Sequence, residues 1–211
     1  MPKAWRKEQS QDRFFQRAKK DGYRARSAYK LLEINDKFKL IRPGARILDL
    51  GAAPGSWSQV AAKLGKASKI VAVDLQPMQP LPGVQTIQAD ITKPETVARI
   101  AQALPEGADL VLSDVAPAAS VVRLVDHARS IQLAEAALKI ALRFLRKSGA
   151  FVVKVFQGED FLGFVALAKR HFETVRIVRP GASRRESDEQ YVVCLRPRAA
   201  TANLPAPRDA A

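Results

Sequence analysis

The sequence predicts an α/β fold built on a seven-stranded, mostly parallel sheet whose last strand runs antiparallel. Three observations lead there. Short runs rich in β-branched residues alternate with helix-spaced segments along most of the chain, and such alternation places a parallel sheet between two helical layers. The chain has 211 residues, 47% hydrophobic and 27% charged, enough for one domain with a full core and short for two. Only a short polar stretch, 181–190, separates the last two expected strands. That is too little for a crossover helix, so the final strand turns back antiparallel.

Taken in order, residues 1–23 read as a basic N-terminal arm. Lys3, Arg6, Lys7, Arg13, Arg17, Lys19 and Lys20 dominate it, as in a mobile, solvated segment. The folded domain is expected over 24–196. It opens with a helix over 27–39 that offers Ala28, Leu31, Leu32 and Phe38 to the sheet. Strands are expected at 46–50, 70–74, 84–88, 109–114, 150–156, 174–178 and 191–195, with helices over 56–64, 95–104, about 125–145 and 160–170. After Arg196 the chain reads PRAATANLPAPRDAA, too poor in apolar surface to order itself, so 197–211 is expected as a disordered tail.

Lys and Arg number 35 against 21 Asp and Glu, a net charge of +14. That balance favours a polyanionic partner, nucleic acid ahead of an anionic membrane surface. The single cysteine, Cys194, can form neither an intramolecular disulfide nor a cysteine-type zinc site, and reads as a packed small hydrophobe in a reducing compartment. No stretch approaches the roughly 18 apolar residues of a membrane span, and the N-terminus lacks the apolar core of a secretory signal. A cytoplasmic protein without a membrane partner is expected. His127 and His171 each lie on a polar helical segment and are expected to face solvent; no metal site is expected.

The chemistry concentrates at the carboxyl ends of the strands, where open α/β sheets bind ligands. Asp49, Asp74 and Asp114 close strands and Asp90 follows one. Each alone reads equally well as a cap or turn residue; four together argue for a cationic or hydroxyl-rich ligand. Gly51-Ala52-Ala53-Pro54-Gly55-Ser56-Trp57 forms a tight loop ahead of a helix, and Asp74 follows at the distance where nucleotide-binding folds place an acid on a ribose diol. A dinucleotide site would carry G-x-G-x-x-G. Here Ala53 and Pro54 fill the middle of the loop, which suits a nucleoside without phosphates. S-adenosylmethionine is such a ligand, with a ribose diol for Asp74, an adenine amino group for Asp90 and a sulfonium that tolerates a nearby carboxylate. Trp57 either packs on that ligand or sits in the core.

Lys154 lies inside an apolar strand, Phe151-Val152-Val153-Lys154-Val155-Phe156, where it must be paired, neutral or lifted into a cleft. Snorkelling from the strand end is the plainer reading. Burial beside another cation, for which Lys30 is the candidate, would suit it to act as a general base. Glu189 stands at the start of the last strand.

Together, Arg26-Ser27-Ala28-Tyr29-Lys30, the segment 48–59, Asp74-Leu75-Gln76-Pro77-Met78, Ser113-Asp114-Val115-Ala116-Pro117, the segment 152–158 and Glu189 with Tyr191 resemble the FtsJ-like ribose 2'-O-methyltransferases over about 24–195. The resemblance implies a Rossmann-like class I fold and S-adenosylmethionine as cofactor. The implied reaction is methylation of a ribose 2'-hydroxyl in RNA, a uridine of large-subunit ribosomal RNA, with free RNA or the large ribosomal subunit as partner and a monomer as the working form. It also implies a catalytic set of Lys30, Asp114, Lys154 and Glu189. Lys154 would accept the proton or stabilise the forming alkoxide, Asp114 would orient it and the methyl donor, and Lys30 with Glu189 would tune charge and position the ribose. Cofactor contacts are expected from Gly51, Gly55, Trp57, Asp74, Asp90 and Asp114. Two departures stand out: Ser56 replaces a usual glycine, and Ala-Ala-Ser-Val-Val at 118–122 replaces a usual Asn and Ser-Gly pair where substrate would enter. A non-catalytic RNA-binding protein on this fold, a methyltransferase of transfer or other RNA, and a nicotinamide-dependent oxidoreductase are the competing readings.

Overall fold

The computed structural model describes residues 12–66, 69–117, 123–184 and 186–198. The front of the expected arm (1–11), the segment 118–122 and the expected tail from 199 onward lie outside the described residues.

Seven strands form one sheet in the order β3-β2-β1-β4-β5-β7-β6. They are β1 (Arg46–Leu50), β2 (Lys69–Asp74), β3 (Val84–Gln88), β4 (Ala108–Ser113), β5 (Leu145–Phe156), β6 (Phe172–Val178) and β7 (Glu189–Pro197). Alternating residues feed two cores. On one face Val71, Val111, Phe151 and Val192 pack beneath helices α4 (Pro94–Ala103), α5 (Arg123–Phe144) and α6 (Phe161–His171). On the other face Ile47, Leu110, Val152 and Val193 meet Leu31 and Ile34 of α2 (Ala28–Phe38) and Val60 of α3 (Ser56–Gly65). Each such fully buried Leu, Ile or Val contributes about 1.5–3 kcal/mol. Among the described residues no helix is long and apolar enough to cross a membrane.

Two topological features place the site. The strand order turns at β1, which pairs with β2 on one side and β4 on the other, both parallel. The loops after β1 and β4 therefore border a crevice at the carboxyl edge. Second, β7 inserts between β5 and β6, antiparallel to both, setting Tyr191 opposite Lys154 and Glu189 opposite Phe156. The antiparallel last strand agrees with the expectation from its short connection.

Three details differ from expectation. β5 starts at Leu145, ahead of the expected 150, because Leu145 pairs with Ala108 before a register shift carries the ladder to Leu110 and Ala150. Part of the basic arm is a docked helix, α1 (Arg13–Lys20). Asp12 caps it by accepting from the N–H groups of Phe14 and Phe15 at 2.9 and 3.2 Å. Ala18 packs with Tyr29 and Ala182, while Asp12 ion-pairs with Arg26. A face this small is masked by surrounding lysines and arginines in any hydrophobicity pattern. Third, His127 is buried rather than solvent-facing. Its Nε2 accepts from the Asp160 N–H at 3.2 Å, and a Cβ on Gly158 would lie 2.6 Å from the imidazole. The β5–α6 loop covers this ring, an arrangement invisible to helical periodicity.

Candidate active site

The crevice beside β1 is built largely from backbone. Gly51 has φ +68°, and a Cβ there would stand 2.5 Å from Val115 Cγ2 and 2.8 Å from its Cα, so only glycine lets the two loops meet. Asp74, ending β2, accepts from the Ala53 N–H at 2.9 Å and the Gln76 N–H at 2.7 Å. Asp90 accepts from the Thr92 N–H and hydroxyl, each at 2.8 Å, and these hydrogen bonds hold its carboxyl below the usual range. Gly51, Asp74, Leu75, Asp90, Ile91 and Asp114 line a cleft of about 640 Å³.

A cleft of this size suits a nucleoside-bearing ligand. Asp74 keeps unused lone pairs for a diol, and Leu75, two-thirds exposed, offers an unpartnered apolar surface for an adenine face. The residues fit S-adenosylmethionine. Among the described residues no group of three or more His, Cys, Asp or Glu side chains converges as a metal site.

Some expected participants lie elsewhere. Trp57 is buried in the second core, donating through Nε1 to the Ser27 carbonyl at 2.8 Å and standing 5.7 Å from the Tyr191 ring. Of its two readings, the structure has the core one. Gly55, at φ +110°, faces Arg24, Leu81 and Met78 instead of the cleft. Asp49 is fully buried, accepts from the Ser58 hydroxyl at 2.7 Å and leaves its other oxygen without a partner. Burial, reinforced by Asp114 and Asp74, pushes its carboxyl up to about 7. It is a support beneath the cleft and does not face a ligand.

Beyond the cleft, toward β5 and β7, the construction changes to long side chains. Lys154 Nζ lies 3.0 Å from Asp114 Oδ1 and donates to the Asp114 carbonyl at 2.7 Å. Tyr191 donates its hydroxyl to the same Oδ1 at 2.8 Å. Burial and the neighbouring Asp114 and Glu189 charges push the phenol far above its ordinary range, which keeps it a donor. Lys30 Nζ stands 2.6 Å from Glu189 Oε1 with both side chains close to 10% exposed, and 5.9 Å from the Tyr191 ring. Lys30, expected as the cation beside Lys154, is thus paired with Glu189, and each lysine has its own carboxylate.

The expected residues Lys30, Asp114, Lys154 and Glu189 thus form two ion pairs with Tyr191 between them. The sequence assigns Tyr191 no role of its own; its position two residues past Glu189 on one strand face is the signal for it. The Lys30–Glu189 pair opens onto a second cavity of about 1140 Å³ that includes Arg13, Phe14, Arg26 and Arg184, whereas Asp114 lines the first cleft. Phe14 lies under two guanidiniums, 4.9 Å from Arg13 and 5.6 Å from Arg26. Cationic and aromatic groups together suit a phosphate-bearing chain with stackable bases. Cys194 is buried, and burial pushes its thiol up, so it stays an inert packing group.

Comparisons with known proteins identify the family. The chain is similar to a ribosomal RNA large subunit methyltransferase E from Methanothrix thermoacetophila, 55% identical over 182 residues that cover 86% of this chain and 71% of that protein. It is 49% identical over 193 residues to the protein of the same name from Azoarcus sp., covering 90% and 94% of the two chains. Among solved structures, one from Plasmodium falciparum called a ribosomal RNA methyltransferase superposes with a TM-score of 0.75 at 28% identity, over 82% of this chain and 98% of that one. Residues 23–197 match the FtsJ-like methyltransferase family, and with the cleft and ion pairs in place the chain belongs to that family.

Proposed function

We propose that this chain transfers a methyl group from S-adenosylmethionine to a ribose 2'-hydroxyl of large-subunit ribosomal RNA. The observation that carries the reading is the pairing of Lys154 with Asp114 at the rim of a nucleoside-sized cleft. Its setting in a family whose relatives are named for large-subunit RNA supports the substrate.

When bound, the cofactor supplies an electrophilic methyl carbon on a sulfonium. The difficulty left to the protein is that an alcohol is a poor nucleophile at neutral pH. After giving up its own proton, Lys154 Nζ in its neutral form accepts the 2'-hydroxyl proton as the oxygen attacks the methyl carbon and displaces the sulfonium sulfur as a thioether. Once charged again, the ammonium stabilises oxygen that still carries negative character. Asp114 holds that amine through its carboxylate and its carbonyl, and Tyr191 fixes the carboxylate in turn. Lys30, restrained by Glu189, meets the ribose or its phosphate. Asp74 holds the cofactor ribose, and Asp90 accepts from the adenine amino group. The cavity with Arg13, Arg26 and Arg184 receives the RNA backbone. In this reading the protein works as a monomer in the cytoplasm.

The test is incubation of the purified protein with labelled S-adenosylmethionine and either protein-free large-subunit RNA or isolated large subunits lacking the modification. Mass mapping of the nucleosides follows. A 2'-O-methylated nucleoside at one site is the expected product; methyl on a base, or only on transfer RNA, overturns the reading.

A further inference from the structure

We infer that Arg24 is a positioning residue that sets the cofactor cleft by clamping together the two loops forming its walls. The inference rests on the reading of that cleft as an S-adenosylmethionine site. Arg24 is not among the residues lining the cleft and acts through others.

Its guanidinium makes three hydrogen bonds, all to backbone carbonyls. Nη1 donates to Pro54 at 2.9 Å and Gln79 at 2.8 Å, and Nη2 donates to Pro80 at 2.9 Å. Pro54 belongs to the loop after β1 and residues 79–80 to the loop after β2, the same two segments that Asp74 joins through Ala53 and Gln76. One planar fork thus spans the outer end of a crevice whose inner end is held by a carboxylate. The backbone of Arg24 is itself anchored: its N–H donates to Gln59 Oε1 of α3 at 2.7 Å, and Gln59 Nε2 donates to the Gly22 carbonyl at 3.0 Å.

Gly55 supplies an independent observation. A Cβ at that position would lie 2.8 Å from Arg24 Nη1 and 3.0 Å from Leu81 Cδ1. The glycine therefore makes room for the guanidinium and the second loop together. Lysine cannot replace the fork, because a single ammonium at the end of its stem does not present two separated nitrogens to three carbonyls in fixed positions. The hydrogen bonds of the Arg24 guanidinium reach only the loops after β1 and β2 and none of Lys30, Asp114, Lys154 or Glu189, so the clamp bears on the cofactor walls alone.

The experiment uses the full chain with Arg24→Met, which keeps most of the stem, and Arg24→Lys, which keeps the charge. Both are expected to raise the Kd for S-adenosylmethionine at least tenfold in calorimetry and to raise its KM in parallel. Turnover at saturating cofactor and the KM for RNA are expected to stay within about twofold of wild type. Arg24→Lys does not rescue. Cofactor affinity within twofold of wild type in Arg24→Met, full rescue by lysine, or an equal fall of kcat with unchanged cofactor KM overturns the assignment. Should Arg24→Met lose its fold in a melting experiment, Arg24→Lys carries the same test. A wild-type protein that binds RNA but gives no heat with S-adenosylmethionine overturns the cofactor reading itself, an outcome distinct from failure of the clamp alone.

Discussion

The two halves of the active site are made of different materials. The half proposed to hold the cofactor is loop backbone: Gly51 against Val115, Asp74 on the Ala53 and Gln76 amides, Asp90 on Thr92. Its acids and glycines fall between residues 49 and 117, most within one β–α–β stretch. The half proposed to handle the proton is made of long side chains brought from far apart, Lys30 to Glu189 and Lys154 to Asp114. Backbone walls preserve a shape whatever the charge state around them. Paired side chains can change protonation while keeping position, as a reaction that moves a proton requires.

Separate materials imply separable failures, and the largest expected effect tests this directly. Lys154→Ala is expected to lower single-turnover methyl transfer by roughly a hundredfold to ten-thousandfold, the usual range for a lost general base. Cofactor affinity measured by calorimetry stays within about twofold. Parallel loss of binding and chemistry breaks the distinction between the two halves.

Next in size is the second ion pair. Lys30→Met leaves the enclosed Glu189 carboxylate without its ion-pair partner, with only the more distant Arg26 charge to offset it, and breaking one partner of a buried pair costs up to about 3–5 kcal/mol. Urea denaturation is expected to report that loss, and adding Glu189→Gln is expected to recover most of it. Independent, additive effects in this cycle would mean that the pair is only proximity.

On the cofactor side, Asp74→Ala removes a charged acceptor from the bound diol and from the Ala53 N–H. The expected cost is about 1.5–3 kcal/mol, or roughly tenfold to a hundredfold in S-adenosylmethionine affinity. Turnover at saturating cofactor is little changed. A fall in kcat larger than the rise in Kd would show that the loop serves chemistry as well as binding.

The smallest effect is read as a slope. Asp49 keeps its proton in the folded state up to about pH 7, whereas in an unfolded chain a carboxyl ionises near 4. The native state therefore binds more protons between these values, and stability falls as pH rises from about 4 to 7. Above that window the loss is complete, and below it the contribution is fully present. Asp49→Asn, isosteric and uncharged, is expected to flatten this slope in melting curves taken across the window. An unaltered slope would assign the pH dependence to other groups.

The same contrast explains what could be read from the sequence. The strands were legible because β-branched runs are local, and the Gly51 loop with Asp74 was legible because both close neighbouring strands of one β–α–β unit. The antiparallel turn of β7 followed from a connection too short for a helix. Its insertion between β5 and β6 did not, since pairing partners are set by tertiary packing. The Lys30–Glu189 pair spans nearly the whole chain and no periodicity announces it; only the family resemblance brought those residues together. His127 misled because the loop that buries it is remote from the helix carrying it. Trp57 was ambiguous for a related reason: a large aromatic behind a ligand loop packs equally well forward or back, and the Ser27 carbonyl decides.

The position of β7 bears on how the enzyme comes into being. Its nine residues, Glu189–Pro197, complete the sheet interior and deliver Glu189 and Tyr191 opposite β5. During synthesis every other strand leaves the ribosome first. β6 then has no partner to pair with, Lys30 lacks Glu189, and Asp114, already met by Lys154, lacks the Tyr191 hydroxyl. Such pairing across a large sequence separation is slow to form because the loop must close before the contact stabilises it. The nascent chain can thus complete a nucleoside-sized cleft well before Lys30 meets Glu189, and the site closes only once β7 has been made.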